Sequence, residues 1–197
     1  MASRKSTDER RREIVDAAIE IIGERGLRAF TAANIAREVG IGDGTVFRHF
    51  KDMNEVAVGV LDRLQELMDE APRSTQEPFE RLEEFVLDRL RSIALQPGIQ
   101  SLVFSDQISQ ALGADGPRRV AALRNRGREF IGSCLREADE KRLLREGLDI
   151  DSAVVLVTGA VMGFLFALKD GAIEGPADQA ARRAWRTLEQ LLVRGDT

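Results

Sequence analysis

The chain has 197 residues, 43% of them hydrophobic and 31% charged, with 29 Lys and Arg against 33 Asp and Glu for a formal net charge of −4. This is the composition of a folded globular protein of one or two domains, and it excludes a disordered tail. A single cysteine, Cys134, excludes an internal disulfide and a cysteine zinc cluster, and the charged leading residues MASRKSTDERRREIV lack the apolar run of a secretory signal, so a cytoplasmic setting is expected.

The first predicted helix begins near Thr7, read as its N-cap with Asp8 and Glu9 in the first turn. Ile14, Ala17, Ala18, Ile21 and Ile22 form one apolar face, and Gly26 ends the helix. A short helix follows from Thr31, a second capping candidate, through Ile35, Ala36 and Val39 to Gly40. Ile41, Gly42 and Asp43 then lead into another short helix, Gly44 to Phe50, with Asp43 read as its cap. Two short helices across a Gly-containing turn make a helix-turn-helix. If Val46 and Phe50 face the core, Thr45, Arg48 and His49 point away from it, and Phe47 reaches either side.

That outward face suits the major groove. Gly44 permits close approach, Thr45 can bond a phosphate, Arg48 and Lys51 can neutralise backbone charge, and His49 can donate to a phosphate or a base edge. Asp43 has a second reading as an acceptor from cytosine. Thr31 and Ala33 on the preceding helix complete the candidate DNA-binding set. The overall negative charge does not oppose this reading, because residues 1–52 carry ten basic against nine acidic side chains and the excess acid lies beyond them. Arg4, Lys5, Arg10, Arg11 and Arg12 form a basic cluster at the front that is expected to add phosphate contacts.

A fourth helix starts at Asp52, which with Glu55 has the spacing of a capping box, and its stripe of Val56, Val60, Leu61, Leu64, Leu67 and Met68 runs to Ala71 before Pro72. PRSTQEP, residues 72–78, reads as a linker. Further helical faces follow at Phe79, Leu82, Val86 and Leu90, over Ile99 to Leu112, and at Val120, Leu123, Phe130, Ile131 and Cys134. The apolar stretch Ala153 to Leu168 falls short of the roughly 20 residues of a membrane span and reads as a buried helix, so no membrane contact is expected. A final amphipathic helix carries Ala181, Ala184, Trp185, Leu188 and Leu192. The fold class is therefore all-α, with about nine helices, no strand alternation and no internal repeat. The expected division is a helix-turn-helix domain over residues 1–52 and a helical regulatory and dimerisation domain over 53–197.

The run TAANIAREVGIGDGTVFRHFKDMNEV, Thr31 to Val56, resembles the DNA-binding region of the TetR/AcrR repressors. Ile35-Ala36, Gly40-Ile41, Gly44-Thr45-Val46-Phe47 and Phe50 stand at the family's mutual spacing. The chain departs from the pattern at Gly42 for Ser, Phe47 for Tyr and Met53 for Lys, and the last two remove phosphate contacts. The resemblance implies a homodimer on double-stranded, near-palindromic operator DNA, released by a small molecule. It also suggests an effector pocket, for which Met68, Phe85, Phe104, Gln107, Phe130 and Cys134 are the candidates, and their character points to an apolar or weakly polar ligand. The small-residue pair Gly159-x-x-x-Gly163 fits tight packing within the domain or a helix against its twin, the second being favoured. Val155, Met162, Phe166, Trp185 and Leu188 join it as dimer candidates, with a core role as the alternative for Trp185.

Other chemistries lack their residues. Gly40-x-Gly42-x-Gly44 has neither the preceding strand nor the Lys of a phosphate loop, one His and one Cys make no metal site, and the carboxylate pairs sit in solvated stretches. No cofactor and no catalysis are expected. The alternative function is a helical adaptor that binds another protein through the same fold.

Overall fold

A computed structural model describes residues 6–69, 77–95 and 106–194. Nine α-helices stand among them: α1 Thr7–Arg25, α2 Ala32–Val39, α3 Asp43–His49, α4 Met53–Asp69, α5 Pro78–Leu95, α6 Gln107–Ala111, α7 Gly116–Glu140, α8 Ile150–Lys169 and α9 Ala177–Leu192. The only β pairing among the described residues is an isolated bridge between Leu144 and Val193. The predicted linker, apart from its last two residues, and residues 99–105 of the predicted mid-chain helix lie outside the described residues.

Packing divides the chain into two compact units, Met1–Asp69 with Gly98–Leu123, and Glu70–Pro97 with Arg124–Thr197. In the first unit the N-cap of α1 is Ser6, one residue before the predicted Thr7. Its hydroxyl accepts from the Glu9 N–H at 3.2 Å, and the Glu9 carboxylate accepts from the Ser6 N–H at 2.7 Å. This reciprocal pair satisfies two otherwise orphaned donors, which Thr7 could not do once inside the helix. Gly26 ends α1 at φ 77°, and Thr31 caps α2 by accepting from the Asn34 N–H at 3.2 Å.

Ile14, Ala18, Ile21 and Ile22 of α1 close one core with Ile35 and Ala36 of α2, Val46 and Phe50 around α3, and Val56, Val60, Leu61 and Leu64 of α4. Burying an aliphatic side chain is worth about 1.5–3 kcal/mol, so this shared core, and not helix propensity, holds the seven-residue α3. It also ties α4 to the first unit by packing.

Gly116 marks a close approach in the same unit. A Cβ there would stand 1.9 Å from the Ser109 carbonyl oxygen, whereas at Gly127 in α7 the nearest atom, Cζ of Phe85, is 3.8 Å away. Alanine at a helical glycine ordinarily gains about 0.5–1 kcal/mol. Gly127→Ala is therefore expected to be neutral or stabilising, and Gly116→Ala to cost about 1–3 kcal/mol, read as a lower thermal midpoint by circular dichroism. Equal midpoints for the two variants would contradict the backbone contact.

The second unit is built from α5, the later turns of α7, α8 and α9. Leu82, Phe85, Val86, Leu87 and Leu90 on α5 share the interior with Ile131, Cys134, Leu135 and Ala138 on α7, Val157 and Leu165 on α8, and Trp185 on α9. Asp149 caps α8, accepting from the Ser152 N–H at 2.8 Å. Ion pairs join Lys141 to Glu77 at 2.7 Å and Arg91 to Asp178 at 2.9 Å, and Arg81 also pairs with Glu137. Solvated pairs of this kind contribute about 0–1 kcal/mol each, so the unit rests on its apolar core.

Candidate nucleic-acid interface

The second helix of the predicted helix-turn-helix is α3, one residue earlier at each end than the spacing predicts. Gly42 is its N-cap and makes no side-chain cap bond, so the expected capping role of Asp43 is corrected: Asp43 is the first helical residue, with its side chain in solvent. The turn closes instead through the backbone, the Thr45 N–H donating to the Gly42 carbonyl at 2.8 Å.

Val46 is fully buried and Phe50 nearly so, which turns the rest of α3 outward. Asp43, Gly44, Phe47 and Arg48 are exposed, Thr45 and His49 are half-buried, and Lys51 is exposed just beyond. Phe47 leaves 50% of its surface in solvent, an aromatic ring presented on a polar face. Thr31, the cap of α2, and Ala33 within that helix are exposed. The Thr31 hydroxyl already serves as the cap. His49 Nδ1 is buried without a hydrogen-bond partner among the described residues, so any outward contact of that imidazole runs through Nε2.

Charge on the surrounding surface is less available than the basic cluster suggests. Arg10 pairs with Glu13 at 2.9 Å, Arg11 with Glu55 at 2.9 Å, and Arg12 with Glu66 at 3.3 Å. Arg10, Arg11 and Arg12 thus each have a carboxylate partner, while Arg4 and Lys5 lie outside the described residues. Arg48 and Lys51 form no ion pair among the described residues, and Arg48 stands on α3 itself.

Two residues read from the sequence in other roles, Arg11 in the basic cluster and Glu55 in the capping box, meet at the exit of α3. Arg11 donates through Nη1 to the His49 carbonyl and through Nη2 to Glu55 Oε1, and its guanidinium lies over the Phe50 ring at 4.0 Å from the centroid. Glu55 Oε2 accepts from the Lys51 N–H at 2.6 Å, and the Glu55 N–H donates to Asp52 Oδ1 at 2.8 Å. The Lys51 N–H and then the Arg11 guanidinium hold the Glu55 carboxyl below its ordinary range. The Asp52-x-x-Glu55 spacing signals a helix start, and half of the box forms; the Glu55 carboxylate reaches one residue further back than the box requires.

The remaining candidates are distributed between the units. Phe85, Phe130 and Cys134 belong to the second, where the two phenyl rings lie 4.7 Å apart and the Arg89 guanidinium sits 4.8 Å from the Phe85 centroid. Burial pushes the Cys134 thiol up, against the opposing pull of Arg81, so it carries little thiolate. Gln107 is half-buried in the first unit. Phe104 and the Met68 side chain lie outside the described residues.

On α8, Val155, Leu156 and Phe166 are 64%, 62% and 55% exposed, and Gly159 and Gly163 are exposed with nothing within 4 Å of a Cβ at either position. Met162 and Leu188 are half-buried. Helix α8 is two-sided, with Ala153, Val157, Val161, Phe164 and Leu165 buried opposite this open row. The segment Ile150–Leu168 is longer than the apolar stretch read from the sequence and has the length and composition of a membrane span, and with 33% of it buried the expectation of a buried helix is corrected to a helix buried on one side. Trp185 is 1% exposed against Phe79 at 6.3 Å. It fills the interior of its own chain, which corrects its assignment to a dimer seam.

Comparison with known proteins fits this geometry. The family model described as "Bacterial regulatory proteins, tetR family" matches residues 14–60, which span most of α1 and reach into α4. The HTH-type transcriptional regulator SrpR of Pseudomonas putida is 30% identical over 162 residues, covering 81% of this chain and 75% of that protein. The fatty acid metabolism regulator protein of Bacillus subtilis is 20% identical over 151 residues, with 76% and 78% covered. A transcriptional regulator from Saccharomonospora viridis, solved in complex with choline, superposes with a TM-score of 0.80 at 19% identity, over 95% of this chain and all of that one.

Proposed function

Because the chain belongs to the TetR family of bacterial transcriptional regulators, we propose that it is a cytoplasmic repressor that binds a near-palindromic operator as a homodimer and leaves it when a small molecule binds. The observation that carries the DNA contact is the outward face of α3, where Arg48 forms no ion pair among the described residues and stands beside exposed Phe47 and Gly44. Arg48 and Lys51 supply phosphate neutralisation, Thr45 and His49 supply hydrogen bonds, and Phe47 offers apolar contact to a thymine methyl. Asp43, Thr31 and Ala33 border the same face. In this reading residues 1–52 read DNA and residues 53–197 regulate and pair the chains.

A two-fold dimer explains the operator symmetry, because two copies of α3 about one helical turn apart, roughly 34–36 Å, read inverted half-sites. The open row Val155, Gly159, Gly163 and Phe166, bordered by Met162, supports α8 as the pairing helix, since small residues there let a twin approach closely. The effector is assigned to the apolar class on the Phe85–Phe130 pair beside Cys134. The fatty-acid name of the B. subtilis relative is consistent with that class. Release requires the ligand to favour the DNA-incompatible state, and a nearly complete switch needs about 5.5 kcal/mol of differential affinity.

Selection of bound sequences from random duplex DNA tests the reading. Enrichment of an inverted repeat is the expected outcome. Failure to enrich any sequence would instead favour an adaptor that uses this fold to bind protein.

A further inference from the structure

The seven-residue α3 is too short to hold its own direction, so its aim depends on what grips its ends. At its exit, three consecutive residues are gripped by one pair of side chains. Arg11 from α1 takes the His49 carbonyl and covers the Phe50 ring, and Glu55 from α4 takes the Lys51 N–H. The two side chains are themselves joined at 2.9 Å. A guanidinium at this point satisfies a terminal helix carbonyl and complements the negative end of the helix dipole, while its flat face needs the aromatic ring beneath it.

Resting on the DNA-binding reading above, we infer that Arg11 and Glu55 are a positioning pair that sets the direction of the recognition helix, and that neither acts by touching DNA. The geometry makes Glu55 specific. Its two oxygens accept from different donors, Oε1 from Arg11 and Oε2 from Lys51. Glutamine has the same shape but one oxygen and one NH2 group, so it can satisfy one donor and must face the other with a donor of its own. Arg11 is equally specific, because lysine keeps the charge but cannot present two divergent N–H groups and a flat face together.

This arrangement predicts a sign opposite to that of simple electrostatics. If the charges acted on phosphate, Glu55→Gln would remove a repulsive carboxylate and tighten binding, and Arg11→Lys would be silent. As a positioning pair, both substitutions weaken DNA binding by about tenfold or more, the scale of one lost charge-assisted hydrogen bond. The double variant binds no more weakly than the poorer single one, because each breaks the same unit.

The experiment titrates full-length wild type, Arg11→Lys, Glu55→Gln and the double variant against the duplex enriched by selection, with circular dichroism melts establishing that each variant is folded at the assay temperature. The slope of log affinity against log salt is measured for wild type and for the neutral variant Arg11→Gln. Weaker binding by both single variants, with no further loss in the double and an unchanged salt slope, supports the inference. Wild-type or tighter binding by folded Glu55→Gln overturns it, as does a slope lowered by about one counterion for Arg11→Gln, while the DNA reading survives. Failure of the wild type itself to bind any duplex overturns the DNA reading and this inference with it.

Discussion

Alanine at Thr45 and Arg48 together is expected to weaken binding to the selected operator by about 30-fold or more while leaving the circular dichroism spectrum unchanged. Each side chain that reaches a base edge or phosphate contributes about 1–3 kcal/mol, and the pair combines a hydroxyl acceptor and donor with a cation that forms no ion pair among the described residues. The folded state loses little, because Arg48 is exposed and Thr45 supplies the turn through its backbone N–H to Gly42 at 2.8 Å. Fluorescence anisotropy with labelled duplex reads the loss. Arg48→Ala alone should reduce the salt dependence by about one counterion if the guanidinium lies on phosphate, and leave it unchanged if it reads a base. Undiminished binding by the double variant would remove α3 from the DNA interface.

Leucine at Gly163 is expected to shift the chain from dimer toward monomer in sedimentation velocity, with the helical content preserved. The position is exposed and a Cβ there meets nothing within 4 Å, so the added side chain costs the isolated protomer nothing in packing. Its effect would fall on a partner helix brought close by the Gly159 and Gly163 gap. Overpacking a close interface costs about 1–3 kcal/mol per site, and a two-fold axis counts the substitution twice, so the dissociation constant should rise by roughly 30-fold or more. Unchanged sedimentation would place the pairing surface elsewhere and leave the exposed apolar row of α8 without this explanation. DNA binding should weaken in parallel, because one recognition helix without its twin reads a half-site.

The helix-turn-helix was legible because local chemistry specifies it. Thr31 caps, Gly40 takes the left-handed turn at φ 73°, and Val46 and Phe50 mark the inward face of α3. The partners of the N-terminal arginines were not legible for the opposite reason. Counting charges along the chain cannot see that Arg11 and Arg12 meet carboxylates at Glu55 and Glu66, more than forty residues away. Asp43 looked like a cap because Asp ordinarily is one, but the helix begins one residue earlier and Gly42 occupies that place. Trp185 and the α8 row both present apolar spacing, and spacing alone does not say which apolar row turns inward. Burial separates them, Trp185 going into the core and Phe166 staying at the surface.

The buried position of Trp185 also settles what light can report. It is the only tryptophan, and the chain has no tyrosine. Excited at the red edge of its absorption, the protein therefore emits from a single indole shielded against Phe79 in the second unit, while the unit that carries α3 stays dark. Emission follows the melting of one unit and ellipticity that of both, so superposing the two curves distinguishes one cooperative transition from two without any label.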